Sequence, residues 1–306
     1  MRLGIAGAGL IGGSIGLRAA ALGWEVRAWD PDAANLRAAR ERGAAGGEAA
    51  SLADLAGWSE ILILAAPLEA TLGALAELAA LASTARLPPA TFDVASVKVP
   101  VARAGANVPG FVATHPIAGS ERSGPAAARA DLFTGRVWTY DAEAAPAGRE
   151  RARDFIAAMG ARPLAIPSGE HDRIVALTSH LPQLLSVALG AQLAPAAADE
   201  TVAALCGTGI GSMLRLAGSS WTVWRAILEA NALPISQEVR RLAAILSDVA
   251  EDLESGAAAT LAGRFEAAAV AAVRVGANVT AVENVDPGKA GGDGTSSPGN
   301  SAKIRP

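Results

Sequence analysis

The sequence predicts an α/β doubly wound N-terminal domain followed by an all-α domain. Three observations carry this. In the first half, short apolar runs alternate with helical stretches, which implies parallel strands joined by crossover helices. Past about Ile166 the strand signals vanish and long apolar-periodic stretches take over. The chain has 306 residues, more than one core usually holds, and its 51% apolar content is enough to fill two.

Leu3-Gly4-Ile5-Ala6 reads as a buried strand, and Ile11 to Leu22 as the helix after it. Glu25 to Trp29 reads as a second strand, ended by Asp30-Pro31. Pro31 has no N–H to give and suits the first turn of a helix running to about Arg42. Ile61 to Leu64 is a third strand, closed by Pro67; Thr91 to Val94 and Phe111 to Ala113 read as two more. The second half offers helices over Gly169–Leu193, Trp221–Asn231, Ser236–Glu254 and Thr260–Val275. Their Ala- and Leu-rich faces carry few charges and suggest burial against a second copy, hence a homodimer. The expected division is residues 1–166, 167–285 and a disordered tail at 286–306, rich in Gly, Ser, Pro and Lys.

Charged residues make up 18% and the net charge is −4, which gives no reason to expect nucleic acid or an anionic membrane as partner. An anionic substrate would need locally built positive charge. The one cysteine, Cys206, permits no intrachain disulfide and reads as a small buried apolar side chain. The N-terminal uncharged run is too rich in glycine for a signal peptide. No later segment offers about 18 uninterrupted apolar residues, and Pro67, Glu69 and Glu77 break the richest stretch, Ile61 to Ala82. The expectation is a soluble cytoplasmic protein.

Gly7-Ala8-Gly9-Leu10-Ile11-Gly12 is a G-x-G-x-x-G between a strand and a helix. Glycines there let the backbone turn tightly and approach a pyrophosphate at the helix N-terminus, the signature of a Rossmann dinucleotide-binding domain. Asp30 ends the second strand roughly 20 residues on, where an acid binds ribose hydroxyls and repels a 2′-phosphate, favouring NAD over NADP. The expected cofactor contacts are Gly7, Gly9, Leu10, Ile11, Gly12 and Asp30, joined by Ala66, Pro67, Ser96 and Lys98 at later strand ends.

There are three histidines, His115, His171 and His180, and their spacing suggests no metal site. His115 follows a strand of the dinucleotide domain, so its imidazole should face the cofactor crevice and act as a base. A loop histidine bonded to backbone is the plainer alternative. Ser96 and Lys98 follow an earlier strand end and could reach the same crevice, or be merely a helix cap and a solvated charge. His171 neighbours Asp172, but adjacent helix residues point apart, so no dyad is expected from them.

Thr114-His115-Pro116-Ile117-Ala118-Gly119-Ser120-Glu121-Arg122-Ser123-Gly124 resembles the signature of the prephenate dehydrogenase family. So do the glycine loop through Leu17, Asp93 to Lys98, His171-Asp172, Ser179-His180-Leu181-Pro182, and Arg215-Leu216-Ala217 before Trp224 and Asn231. The resemblance runs from residue 3 to about 231. It implies NAD-dependent oxidative decarboxylation of prephenate, or of its amino-acid relative arogenate, in tyrosine biosynthesis. It makes His115 the catalytic base, Ser96 the residue that orients it, and Arg215 the clamp on a substrate carboxylate. Glu121 becomes an acid near the entrance able to pair with that arginine, and Trp224 a pocket wall; Ser120, His180 and Gln183 fall on the substrate side. Two positions depart from the family pattern: Gln183 where a histidine is frequent, and Ser212 where an acid is. Both leave open which side chain the substrate carries. The rival readings are another two-domain hydroxyacid or imine dehydrogenase, a nucleotide-sensing module without turnover, and a purely structural dimerisation protein.

Overall fold

A computed structural model describes residues 1–119 and 124–283; the expected disordered tail lies outside the described residues. Six parallel strands form the main sheet: β1 (Arg2–Ala6), β2 (Glu25–Trp29), β3 (Gly47–Glu48), β4 (Ile61–Leu64), β5 (Ala90–Asp93) and β6 (Phe111–Val112), in the order β3-β2-β1-β4-β5-β6. The chain winds outward from β1 in one direction and from β4 in the other, which opens a crevice at the carboxyl ends of those two neighbours. Strand alternation fills both faces. Leu3, Ile5 and Ile63 join Phe92, Trp138 and Phe155 on one side; Leu62 and Leu64 join Leu55, Leu75 and Val101 on the other. Both faces are apolar because helices cover both.

A second sheet of three strands, β7 (Thr114–Pro116), β8 (Val137–Asp141) and β9 (Arg162–Ile166), is ordered β7-β8-β9, with β7 antiparallel to β8. β7 follows β6 after a single residue, Ala113, so the chain leaves one sheet for the other there. His115 consequently sits within a strand, opposite Thr139, rather than in the loop expected after one. The short β3 and the small sheet were not legible in the apolar pattern: β3 has two residues, and β8 and β9 mix apolar with polar or half-exposed positions.

Pro31 does not enter the helix it precedes. Asp32 is the N-cap of Ala33–Glu41, its carboxylate accepting from the Ala34 N–H at 2.8 Å, and that cap sets the start two residues past the proline. Helices Glu200–Leu205 and Thr208–Leu214, too short to show periodicity, lie between the longer ones expected. Cys206 is exposed rather than buried in this chain.

The long helical run Ser168–Ala196 is long and apolar enough on average to cross a membrane. Its inner face carries His171, Asp172, His180, Gln183 and Ser186, all buried. Each bonds to other parts of the protein. A π-turn at Ala176–His180 interrupts the run. Pro182, two residues on, cannot donate to the carbonyl four residues back, and the widened turn absorbs that defect. The extra residue rotates the remainder of the helix by about 100°, one residue's turn.

At the end of β5, buried Asp93 accepts from the N–H groups of Ala95 (2.9 Å) and Thr114 (2.8 Å) and from the Lys98 ammonium. Lys98 also donates to the Thr114 carbonyl at 2.6 Å and is 2% exposed. This staple ties the β5 loop to β7. Burial pushes the Lys98 ammonium below its ordinary range, and the Asp93 charge opposes that. Removing one partner strands a buried charge. Lys98→Met is expected to lower the unfolding free energy by about 3–5 kcal/mol, with Asp93→Asn in the same chain recovering part of the loss, read by denaturant unfolding at fixed protein concentration.

Candidate active site

Gly7 follows β1 with φ +104°, and a Cβ on it would lie 2.4 Å from the Ala65 carbonyl oxygen. The chain end of β4 presses on the loop there, and only glycine permits it. A Cβ on Gly12 would lie 1.9 Å from the Gly7 carbonyl oxygen, so helix Leu10–Ala21 packs directly on the turn. Gly9 faces open space. It is also the N-cap, with no side-chain cap and no acid in the first turn, so the leading N–H groups stay available to an anion. Leu10 and Ile11 turn their side chains into the core and contribute backbone to that end.

Gly7, Gly9, Asp30, Ala66 and Pro67 line a cavity of about 310 Å³ along the ends of β1, β2 and β4. Asp30 accepts from the Ala8 N–H at 2.7 Å, the Asp32 N–H at 2.9 Å and the Asn35 amide at 3.3 Å. Its carboxylate therefore braces the glycine loop while facing the cavity. A loop of small residues, a free helix end and an acid at the far wall fit a dinucleotide.

His115 is half-buried. Its pKa is held well below 6.5, by burial first, then by Lys98, His171 and His180, so the ring is neutral. Its Nδ1 lies 3.0 Å from His171 Nε2, and the rings meet edge to face. His171 Nδ1 in turn lies 2.8 Å from Asp172 Oδ1. The expectation that His171 and Asp172 form no dyad is corrected: the side chains fold toward each other across one peptide. Asp172 also accepts from the backbone N–H of Lys98 (2.7 Å) and Val99 (2.8 Å) at the start of helix Val99–Gly105.

Ser96 is half-buried in the loop after β5, and among the described residues no hydrogen bond joins it to His115; the ring partner is His171. Lys98 is turned inward to Asp93 and Thr114 rather than toward the crevice, because burial demands a charge partner for it. His180 is 1% exposed and accepts at Nδ1 from the Asn231 amide at 3.2 Å, with Trp224 edge-on at 5.8 Å. Burial lowers its pKa to about 4. Gln183 is buried and donates to the Leu216 carbonyl at 2.8 Å, and Ser186 accepts from the Ala217 N–H at 2.9 Å. These two brace the 3₁₀ turn Arg215–Gly218 instead of opening onto solvent. Arg215 is exposed on that turn and has no ion-pair partner among the described residues. Ser120 and Glu121 lie outside the described residues. One contact gave no sequence signal: Arg225 pairs with Glu69 at 2.6 Å, joining helix Trp221–Ala230 to the helix that opens after Pro67.

A doubly wound nucleotide domain, with an imidazole on the strand that follows its last one and a helical domain docked on that imidazole, defines a two-domain dinucleotide-dependent dehydrogenase. The family model for the prephenate dehydrogenase nucleotide-binding domain matches residues 15–163, and that for the dimerisation domain matches residues 167–267. A probable prephenate dehydrogenase, NovF of Streptomyces niveus, is 34% identical over 257 residues, which cover 81% of this chain and 68% of that protein. In fold, the chain is similar to prephenate dehydrogenase from Aquifex aeolicus in complex with hydroxyphenyl propionate and NAD+ (TM-score 0.82, 20% identity, 90% of this chain and 98% of that one). It is also similar to arogenate dehydrogenase from Synechocystis (TM-score 0.70, 22% identity, 83% and 92%). The chain belongs to the prephenate dehydrogenase family and is an NAD-dependent oxidoreductase.

With the Asp30 carboxylate on the cavity wall, Asp30→Ser is expected to weaken NAD binding and narrow the preference for NAD over NADP by about tenfold, the factor that 1.4 kcal/mol represents. Titration of the two dinucleotides against the purified variant checks it.

Proposed function

We propose that this chain oxidises and decarboxylates prephenate to 4-hydroxyphenylpyruvate in tyrosine biosynthesis, with residues 1–166 holding NAD and residues 167–285 completing the substrate side. The observation that carries the reading is the neutral His115, three residues past the carboxyl end of β6 and backed by a buried acceptor chain. Gly7, Gly9, Gly12 and Asp30 hold the dinucleotide, with Ala66 and Pro67 on the facing wall. Bound NAD would supply the acceptor for the hydride on the ring carbon that bears the hydroxyl. His115 accepts the hydroxyl proton as the carbonyl forms. The ring carboxylate leaves as carbon dioxide, its bonding pair restores the aromatic ring, and the phenol oxygen regains a proton. Aromatisation drives the step, so the protein supplies position, a base and a charge clamp. Arg215, planar and always charged, clamps a substrate carboxylate. Ser96, at the end of β5, reaches the substrate hydroxyl, and Trp224 and His180 wall the pocket.

Assembly as a homodimer accounts for the helical domain's surface, where Leu205, Trp221, Leu233, Phe265 and Val273 are all exposed in the single chain. The same domain matches a dimerisation family model. Cytoplasmic location suits such an enzyme. The competing substrate is arogenate, and both are tested together. Purified protein with NAD is expected to form NADH from prephenate faster than from arogenate; binding of NAD without turnover of either overturns the reading.

Two outcomes bear on the residues. His115→Asn should cut kcat by about 10²–10⁴-fold with little change in KM, while Arg215→Ala should act mainly by raising KM. A base must be unprotonated, and the His115 pKa is lowered from 6.5, so the acid limb of the kcat/KM profile should fall below pH 6.5. A limb above that value contradicts the assignment.

A further inference from the structure

His115, His171 and Asp172 form a line of hydrogen-bonding atoms whose proton positions can be deduced. Asp172 is 2% exposed, and its oxygens face only donors: the Lys98 and Val99 N–H groups and His171 Nδ1, at 2.7, 2.8 and 2.8 Å. A carboxylate accepts and does not donate, so the His171 proton is on Nδ1. In a neutral His171 that leaves a lone pair on Nε2. The atom 3.0 Å away is His115 Nδ1, which must therefore be the donor. The opposite tautomer of His115 would set two lone pairs against each other at that distance. With its proton on Nδ1, His115 keeps its lone pair on Nε2.

We infer that His171 and Asp172 are positioning residues that fix the tautomer of His115, so that its Nε2 is the atom that receives the substrate proton. This rests on the reading of His115 as the base and deepens it. No proton has to travel along the line. When Nε2 is protonated, the His115 Nδ1–H still donates to His171, the His171 Nδ1–H still donates to Asp172, and the positive charge faces an ordered row of dipoles ending in a carboxylate. The neutral His115 stays in place between turnovers because its Nδ1 partner is itself buried, 2% exposed. His180 provides an internal contrast. The Asn231 amide donates both to the Asp172 carbonyl (2.8 Å) and to His180 Nδ1 (3.2 Å), so the neutral His180 carries its proton on Nε2.

The chain has three histidines, so long-range ¹H–¹⁵N spectra of the full ¹⁵N-labelled protein give three resolvable imidazoles. The expected pattern at neutral pH is Nδ1–H for His115 and His171 and Nε2–H for His180, assigned by single-histidine replacement. An Nε2–H tautomer for His115 overturns the inference. Kinetics supply the second arm. His171→Leu removes the acceptor and should lower kcat by about 100-fold, with KM and NAD affinity near wild type and His115 shifted toward the Nε2–H form. His171→Gln keeps an acceptor oxygen at the Nε2 position and should recover most of the lost kcat. Equal loss in both variants, or a loss carried by KM and NAD binding, would mean that His171 is only structural. If the spectra show the expected tautomers but His115→Asn turns over normally, the tautomer stands and the assignment of the base fails.

Discussion

The structure depends most on one buried carboxylate. Asp172 caps the start of helix Val99–Gly105 through the N–H groups of Lys98 and Val99, and it holds His171 against His115. The first pair of bonds fastens the helical domain to the nucleotide domain; the third delivers that fastening to the His115 imidazole on β7. Charge-assisted bonds to backbone N–H are among the stronger ones available, and in a dry setting they are costly to break. Domain docking and orientation of the His115 imidazole thus rest on the same carboxylate.

Around it the protein places further buried polar groups, each with a partner. Asp93 holds Lys98, Ala95 and Thr114, so the end of β5 and the start of β7 move as one. Asn231 spans the Asp172 carbonyl and His180. Gln183 and Ser186 hold the turn that carries Arg215. The result is a polar seam between domains, with a guanidinium at one end that has no ion-pair partner among the described residues and a neutral imidazole in the middle. A chain of net charge −4 offers no global field for an anion.

Much of this was legible in the residues. The glycine spacing and Asp30 placed the dinucleotide cavity because that geometry is local: a tight turn, a close approach and an acid one strand away. The five principal strands were legible because each carries apolar residues into the core: both faces of β1 and β4 are apolar, while β2 buries Val26 and Ala28 and leaves Glu25 exposed. The small sheet was not, since β7 differs from β6 only by a change of pairing partner after Ala113. The His171–Asp172 contact was missed because helical periodicity speaks of Cβ directions, while two side chains can still bend toward each other. Lys98 and Gln183 read as crevice residues from their positions, yet both point inward, because a buried donor or charge is satisfied by partners far away in sequence. Pro182 was the available sign of the π-turn, being a proline that the helix visibly survives.

In the proposed reaction, hydride removal and carboxylate loss occur in one site that uses NAD. The decisive measurement follows NADH absorbance and carbon dioxide release together as the wild-type protein consumes prephenate. The two products are expected in equal amounts and at the same rate. Carbon dioxide without NADH, or NADH formed from a hydroxyacid while prephenate is left untouched, would contradict it.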